Sequence, residues 1–106
     1  MKAAVYSARD QVEEAPQLEL LAAAADRLEL NEEARSVATD LYLSAAPDAD
    51  RSKPAGVAAA LYAGALIAGD GRTQIAVADA VGVNRLVIQA RWKSLLEAAG
   101  FEAPDW

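Results

Sequence analysis

Residues 53–69, KPAGVAAALYAGALIAG, decide the fold. Pro54 suits the first turn of a helix, where its missing N–H is not needed. The helix then runs from Gly56 through Ala68, until Gly69-Asp70-Gly71 breaks it. Nearly every face of this helix is apolar. A helix that is hydrophobic all round belongs in the middle of its domain, with the other helices around it. The run is too short and too rich in alanine to prefer lipid, since a membrane span needs roughly 20 apolar residues. Its Ala and Gly side chains let neighbours pack close, giving up helix propensity at Gly56 and Gly64 for tight contact.

On the N-terminal side, Pro16 opens a helix in which Leu18, Leu21, Ala22, Ala25 and Leu28 recur at helical spacing. Asn31 is a good N-cap for the next helix, and Glu32 and Glu33 place negative charge beside its positive end. Its inward stripe is Ala34, Val37, Ala38, Leu41, Tyr42 and Ala45, and Pro47, Asp48 and Asp50 end it. On the C-terminal side, Thr73 caps a short helix from Gln74 to about Ala80, with Gly82 as its stop. Asn84 caps a last helix with Leu86 or Val87, Ala90 or Arg91, and Ser94 with Leu95 turned inward. Gly100 ends that helix, and Phe101 is placed for the hydrophobic contact that follows such a stop. Residues 1–15 show no sustained period and read as an N-terminal extension. The expectation is an all-α domain over residues 16–106, a compact five-helix bundle with a C-terminal helix-turn-helix.

The chain has 106 residues, enough for one core without metal or disulfide staples. Cysteine and histidine are both absent. That removes a disulfide framework, the commonest zinc ligands, the cysteine nucleophile and the commonest general base. Glu32 and Glu33 read as helix-start charges rather than a metal or catalytic pair. A protein that is not an enzyme and carries no cofactor is therefore expected. Met1 to Arg9 lacks the apolar core of a secretory signal, so a cytoplasmic protein without a membrane partner is expected.

The net charge of −6 is unevenly placed. Residues 1–50 carry four Lys/Arg against eleven Asp/Glu, whereas residues 51–96 carry six against two. An acidic half joined to a basic half points to nucleic-acid contact on the basic side. Chance clustering on solvated helix faces is the bland alternative. The abundance of Ala, Asp and Glu beside only three Lys also suits a halophilic protein in a salty cytosol.

Arg72 to Lys93 carries the functional signal. A helix of about two turns, a Gly-containing turn and a longer helix with a polar start make a helix-turn-helix pattern. Val77, Ala78 and Val81 hold the first helix on the core, Gly82 makes the turn and Val83 plugs between the helices. Asn84 and Arg85 stand where the second helix enters a major groove, and Gln89 lies one turn on. Glutamine binds adenine bidentately and arginine binds guanine. Arg91 and Lys93 lie further along, where phosphate contact is natural. An ordinary helical hairpin with exposed charges is the competing interpretation. Tyr42 and Tyr62 read as core aromatics, and Trp92 as core or half-exposed packing.

Residues 53–95 resemble the C-terminal cyclin-like repeat of the transcription factor IIB family, of archaeal and, from its composition, haloarchaeal type. The matching residues are Pro54, Ala58 to Ala63, Arg72-Thr73-Gln74, Val77-Ala78, Gly82-Val83, Ile88, Arg91, Trp92 and Lys93. Upstream, LELNEEARSVATDLY (residues 28–42) resembles the opening helices of the same repeat, so the likeness covers roughly residues 16–98. The resemblance implies a cyclin-like bundle that packs on the TATA-binding protein and reads promoter DNA just upstream of the TATA box. It places the base-contacting positions at Leu86 and Gln89. With them, Arg72, Thr73, Gln74, Asn84, Arg85, Arg91 and Lys93 form the candidate DNA-binding set. The chain departs from the family pattern at Arg85, where an acidic residue is usual, at Val87, where Thr is usual, and at Gln89, where Arg is usual. A lone repeat without a zinc ribbon, polymerase-engaging linker or first repeat is expected to modulate initiation rather than recruit polymerase. The alternative is a protein-interaction domain on the same scaffold, engaging another transcription protein through the acidic half and the C-terminal aromatics.

Overall fold

Among the described residues, 15–44 and 53–100, the computed structural model of the chain holds five α-helices. They are α1 (Ala15–Leu28), α2 (Glu32–Ser44), α3 (Lys53–Ile67), α4 (Gln74–Val81) and α5 (Arg85–Ala98). Residues 1–14, 45–52 and 101–106 lie outside the described part, and with them the expectations placed on Ala45, Pro47, Phe101 and Trp106.

Helix α3 is the hub and packs against all four of the others, most extensively α2 and α5. Ten of its fifteen residues are buried, from Ala55 to Leu61 and again from Ala63 to Ala65. The helix forms because alanine has the best intrinsic propensity and Pro54 sits in the first turn, where no N–H is missed. It stops where Gly69 takes the left-handed conformation (φ 76°) and the Asp70 N–H returns to the Ala65 carbonyl at 2.8 Å.

The small side chains set how near the neighbours come. A Cβ added to Gly64 would lie 2.7 Å from the Ala38 nitrogen and 2.8 Å from its Cα, so α2 rides directly on the α3 backbone. The rest of the interior is large and apolar: Tyr42, Leu41, Leu61, Ile88, Leu96, Val57 and Val77 are the bulkiest fully buried side chains. Each such aliphatic side chain contributes about 1.5–3 kcal/mol through removal from water. Tyr42 is in this interior as expected. Tyr62 is half-buried and meets Trp92 edge-on, with ring centroids 5.3 Å apart, which ties α3 to α5.

Two expected stripes are shifted. In α1, Ala24 is buried where Ala22 was expected, and the core extends past the helix to Leu30. In α5 the inward face is Ile88, Trp92, Leu95 and Leu96, leaving Leu86, Ala90 and Ser94 exposed and Val87 and Arg91 half-buried. Both sets have helical spacing. The observed one buries an indole and three branched aliphatic chains, far more apolar area than a stripe containing Ala90 and Ser94.

Gly64→Ala is expected to destabilise the fold by about 1–3 kcal/mol, the usual cost of overpacking a full interior. Urea denaturation should show a lower midpoint with an unchanged slope.

Candidate nucleic-acid interface

The segment from Arg72 to Lys93 is defined by local hydrogen bonds at each joint. Thr73 adopts extended backbone (φ −70°, ψ 157°), and its Oγ1 accepts from the Ala76 N–H at 3.0 Å, capping α4. At the other end Gly82 has φ 93°, and the N–H groups of Gly82 and Val83 both return to the Ala78 carbonyl, at 2.7 and 3.0 Å. Asn84 Oδ1 then accepts from the Leu86 N–H at 2.8 Å and starts α5. Val77, Ala78 and Ala80 are buried, and Val81 and Val83 pack half-buried against the core. Three residues thus separate two capped helices.

With Ile88, Trp92, Leu95 and Leu96 turned inward, α5 presents a continuous outer stripe. Arg85, Gln89 and Lys93 stand four residues apart along it and are all exposed, with Leu86 and Ala90 beside them. Leu86 is 59% exposed, a large apolar side chain in water at the start of the helix. Lys93 lies over the Trp92 ring, 5.5 Å from its centroid, so a buried residue helps to place an exposed cation. Gln74 reaches this stripe from α4: its Nε2 donates to Gln89 Oε1 at 2.8 Å. Arg91 is half-buried and stands off the stripe. Ile75, 60% exposed on α4, was not anticipated; its only signal was its place outside the Val77–Ala78–Val81 stripe.

Arg72 is turned away from α5. Its Nε donates to the Leu28 carbonyl at 3.1 Å and its Nη2 to the Glu29 carbonyl at 3.3 Å, both at the end of α1. Its Nη1 reaches the Asp70 carbonyl and carboxylate at 2.8 and 2.9 Å. A guanidinium suits this place because its fork satisfies several carbonyls at the negative end of a helix. Glu29 there has φ 56°, a conformation that L-residues with a side chain seldom adopt. Asp70 completes the clasp by accepting from the Asn31 N–H at 2.9 Å, while Asn31 Oδ1 caps α2 at Ala34 N. Arg27, one residue before Leu28, donates to the Ala80 carbonyl at 2.7 Å, in the last turn of α4. Arg35 from α2 donates to the Leu30 carbonyl at 2.9 Å and pairs with Asp26. Among the described residues, no Asp or Glu cluster is arranged to hold a metal ion, and no helix is long and apolar enough to cross a membrane.

An all-α bundle around one Ala- and Gly-rich helix, closed by two capped helices, defines a cyclin-like repeat. Residues 11–98 match the family described as transcription factor TFIIB repeat, and the chain belongs to that family. Transcription initiation factor IIB of Pyrococcus abyssi (strain GE5 / Orsay) is 39% identical over 83 residues, which is 76% of this chain and 28% of that protein. Transcription initiation factor IIB of Pyrococcus horikoshii is similar to the same degree, 39% over 83 residues. The chain therefore spans 28% of the length of these relatives.

The clasp has a pH signature. The Asn31 N–H and then the Arg72 guanidinium stabilise the Asp70 carboxylate and hold its pKa below the ordinary carboxylate value. A carboxyl lowered in the folded state contributes stability above its unfolded pKa of about 3.9 and loses it as pH falls through the folded value. Asp70→Asn is expected to melt below the parent protein at neutral pH. The two melting curves should converge as the pH drops beneath about 4, followed by circular dichroism.

Proposed function

We propose that this chain is a transcription-initiation module that lays the outer face of α5 in the major groove of promoter DNA beside the TATA-binding protein and so modulates initiation. The supporting observation is the division of α5, with Ile88 and Trp92 anchored in the core and Arg85, Leu86, Gln89 and Lys93 on one exposed stripe. In this role α4 and α5 act as a helix-turn-helix, whose second helix reads base edges with its first turns. Gln89 addresses a base, Leu86 contacts a thymine methyl, and Arg85 and Lys93 neutralise phosphates. Thr73, Gln74 and Asn84 flank the groove, and Arg91 approaches the backbone from the side. Arg72 enters as the residue that fixes the pair on α1. The setting is supported by family membership and by the relatives' names, transcription initiation factor IIB.

A second role, docking to a protein partner alone, is favoured by the exposure of Ile75 and Leu86. In that case Arg85→Ala and Gln89→Ala leave partner binding unchanged, and DNA does not compete.

The deciding measurement is an anisotropy titration with duplex DNA holding a TATA box and its upstream flank, with and without the TATA-binding protein. Gln89→Ala should weaken binding by about 1–3 kcal/mol without altering its salt dependence. Arg85→Ala or Lys93→Ala should instead reduce the log–log salt slope by about 0.9 each. No binding under any of these conditions, at low or high salt, overturns the proposal.

A further inference from the structure

Three arginines reach backbone carbonyls near the end of α1, and they are not equivalent. Arg72 pairs with Asp70 and Arg35 with Asp26, and each also donates to at least two backbone carbonyls. Their charge is neutralised where they stand. Arg27 differs. Its Nη1 donates to the Ala80 carbonyl at 2.7 Å, and among the described residues its guanidinium has no other partner and no carboxylate. The neighbouring Asp26 turns to Arg35 instead. A guanidinium carries five N–H donors in a planar fork. One two-nitrogen edge therefore stays open whichever of its terminal nitrogens holds the carbonyl, and the side chain is exposed.

The carbonyl also says where this cation stands. Ala80 lies in the last turn of α4, four residues before Asn84 caps α5. The turn between them is tight, since the N–H groups of Gly82 and Val83 both return to the Ala78 carbonyl. Helix α1 packs on α4, so the place of Arg27 is set by helix packing as well as by its hydrogen bond. Arg27 therefore stands beside the α4–α5 turn, at the end of α5 that carries Arg85. Lys93 and Arg85 are eight residues apart along α5, about 12 Å at the helical rise. Arg27 continues this run of cations past the start of the helix, from a distant part of the chain. A recognition helix enters the groove by its first turns, and phosphates flanking the groove fix its register. Phosphate oxygens match an open guanidinium edge in both geometry and charge. We propose that Arg27 is a phosphate-binding residue that holds the DNA backbone beside the entry of α5, an inference that rests on α5 facing DNA.

The test is the salt dependence of binding to a duplex holding a TATA box and its upstream flank, with the TATA-binding protein present. The proteins compared are the parent, Arg27→Gln, Arg27→Lys and Arg35→Gln. Arg27→Gln should lower the log–log salt slope by about 0.9, the share of one neutralised phosphate. Arg27→Lys keeps the charge and should keep the slope, while binding about two- to tenfold more weakly without the planar fork. Arg35→Gln removes a cation that Asp26 already neutralises and should leave the slope unchanged. A merely structural strut at Arg27 would lower stability and weaken binding equally at every salt concentration, with the slope of the parent. Should Arg27→Gln not fold, Arg27→citrulline, made by semisynthesis, keeps an N–H for the Ala80 carbonyl without the charge and is read in the same way. A parental slope in the uncharged variant overturns the phosphate contact alone. A parent that does not bind the duplex overturns the DNA-facing role of α5 and the role of Arg27 with it.

Discussion

The architecture depends on one close approach, the seating of the α2 backbone at Ala38 against Gly64 of α3. Two helices with ordinary side chains at their crossing stay about 8–10 Å apart. Here the crossing carries a hydrogen atom on one side and a methyl on the other, so the helices approach more tightly. The narrow profile of α3 also allows α1, α4 and α5 to reach it from other directions, with α5 bringing the most bulk in Ile88, Trp92, Leu95 and Leu96. Most of the buried leucine, with Tyr42, Ile88 and Trp92, thus comes from outside α3, while α3 contributes mainly alanine beside Val57 and Leu61. A core filled from its periphery fixes the orientation of the peripheral helices, and α5 is one of them.

The charged side chains extend the same order to the surface. Arg72, Arg27 and Arg35 each donate to backbone carbonyls at a helix end or the turn beyond it, where the macrodipole is negative and acceptors are unpaired. None of these arginines is buried, and no charged group is buried among the described residues, so the desolvation cost of an interior ion pair does not arise. The cations that remain on the outer stripe of α5 are Arg85 and Lys93. Their location opposite Ile88 and Trp92 separates exposed charge from packing on a single helix.

Features governed by neighbours in sequence were legible in advance. Thr73, Asn84 and Asn31 cap helices, and Gly82 takes φ 93°, because caps and turns are decided within three or four residues. The central position of α3 was legible because no polar face contradicts it. The register of α5 was not, since Leu86–Ala90 and Ile88–Trp92 share one periodicity and only the volume available against α3 separates them. Nor was the setting of Arg72. The resemblance places it in the candidate DNA-binding set, but its partners include carbonyls 43 and 44 residues earlier in the chain. The Gln74–Gln89 pair is hidden for the same reason: spacing along a chain does not show which two side chains meet across a turn.

Arg27 and Arg72 have a joint consequence for the history of the fold. Through them the end of α1 holds α4 at both extremities, Ala80 at one end and the residue just before Thr73 at the other. Inserting or deleting a single residue in α4 would rotate its end by about 100° and shift it by about 1.5 Å, so both attachments could not survive together. The length of α4 therefore behaves as a fixed ruler between two anchor points. Sequence drift can change what α5 displays, but it has little freedom to change the angle at which α5 is held out.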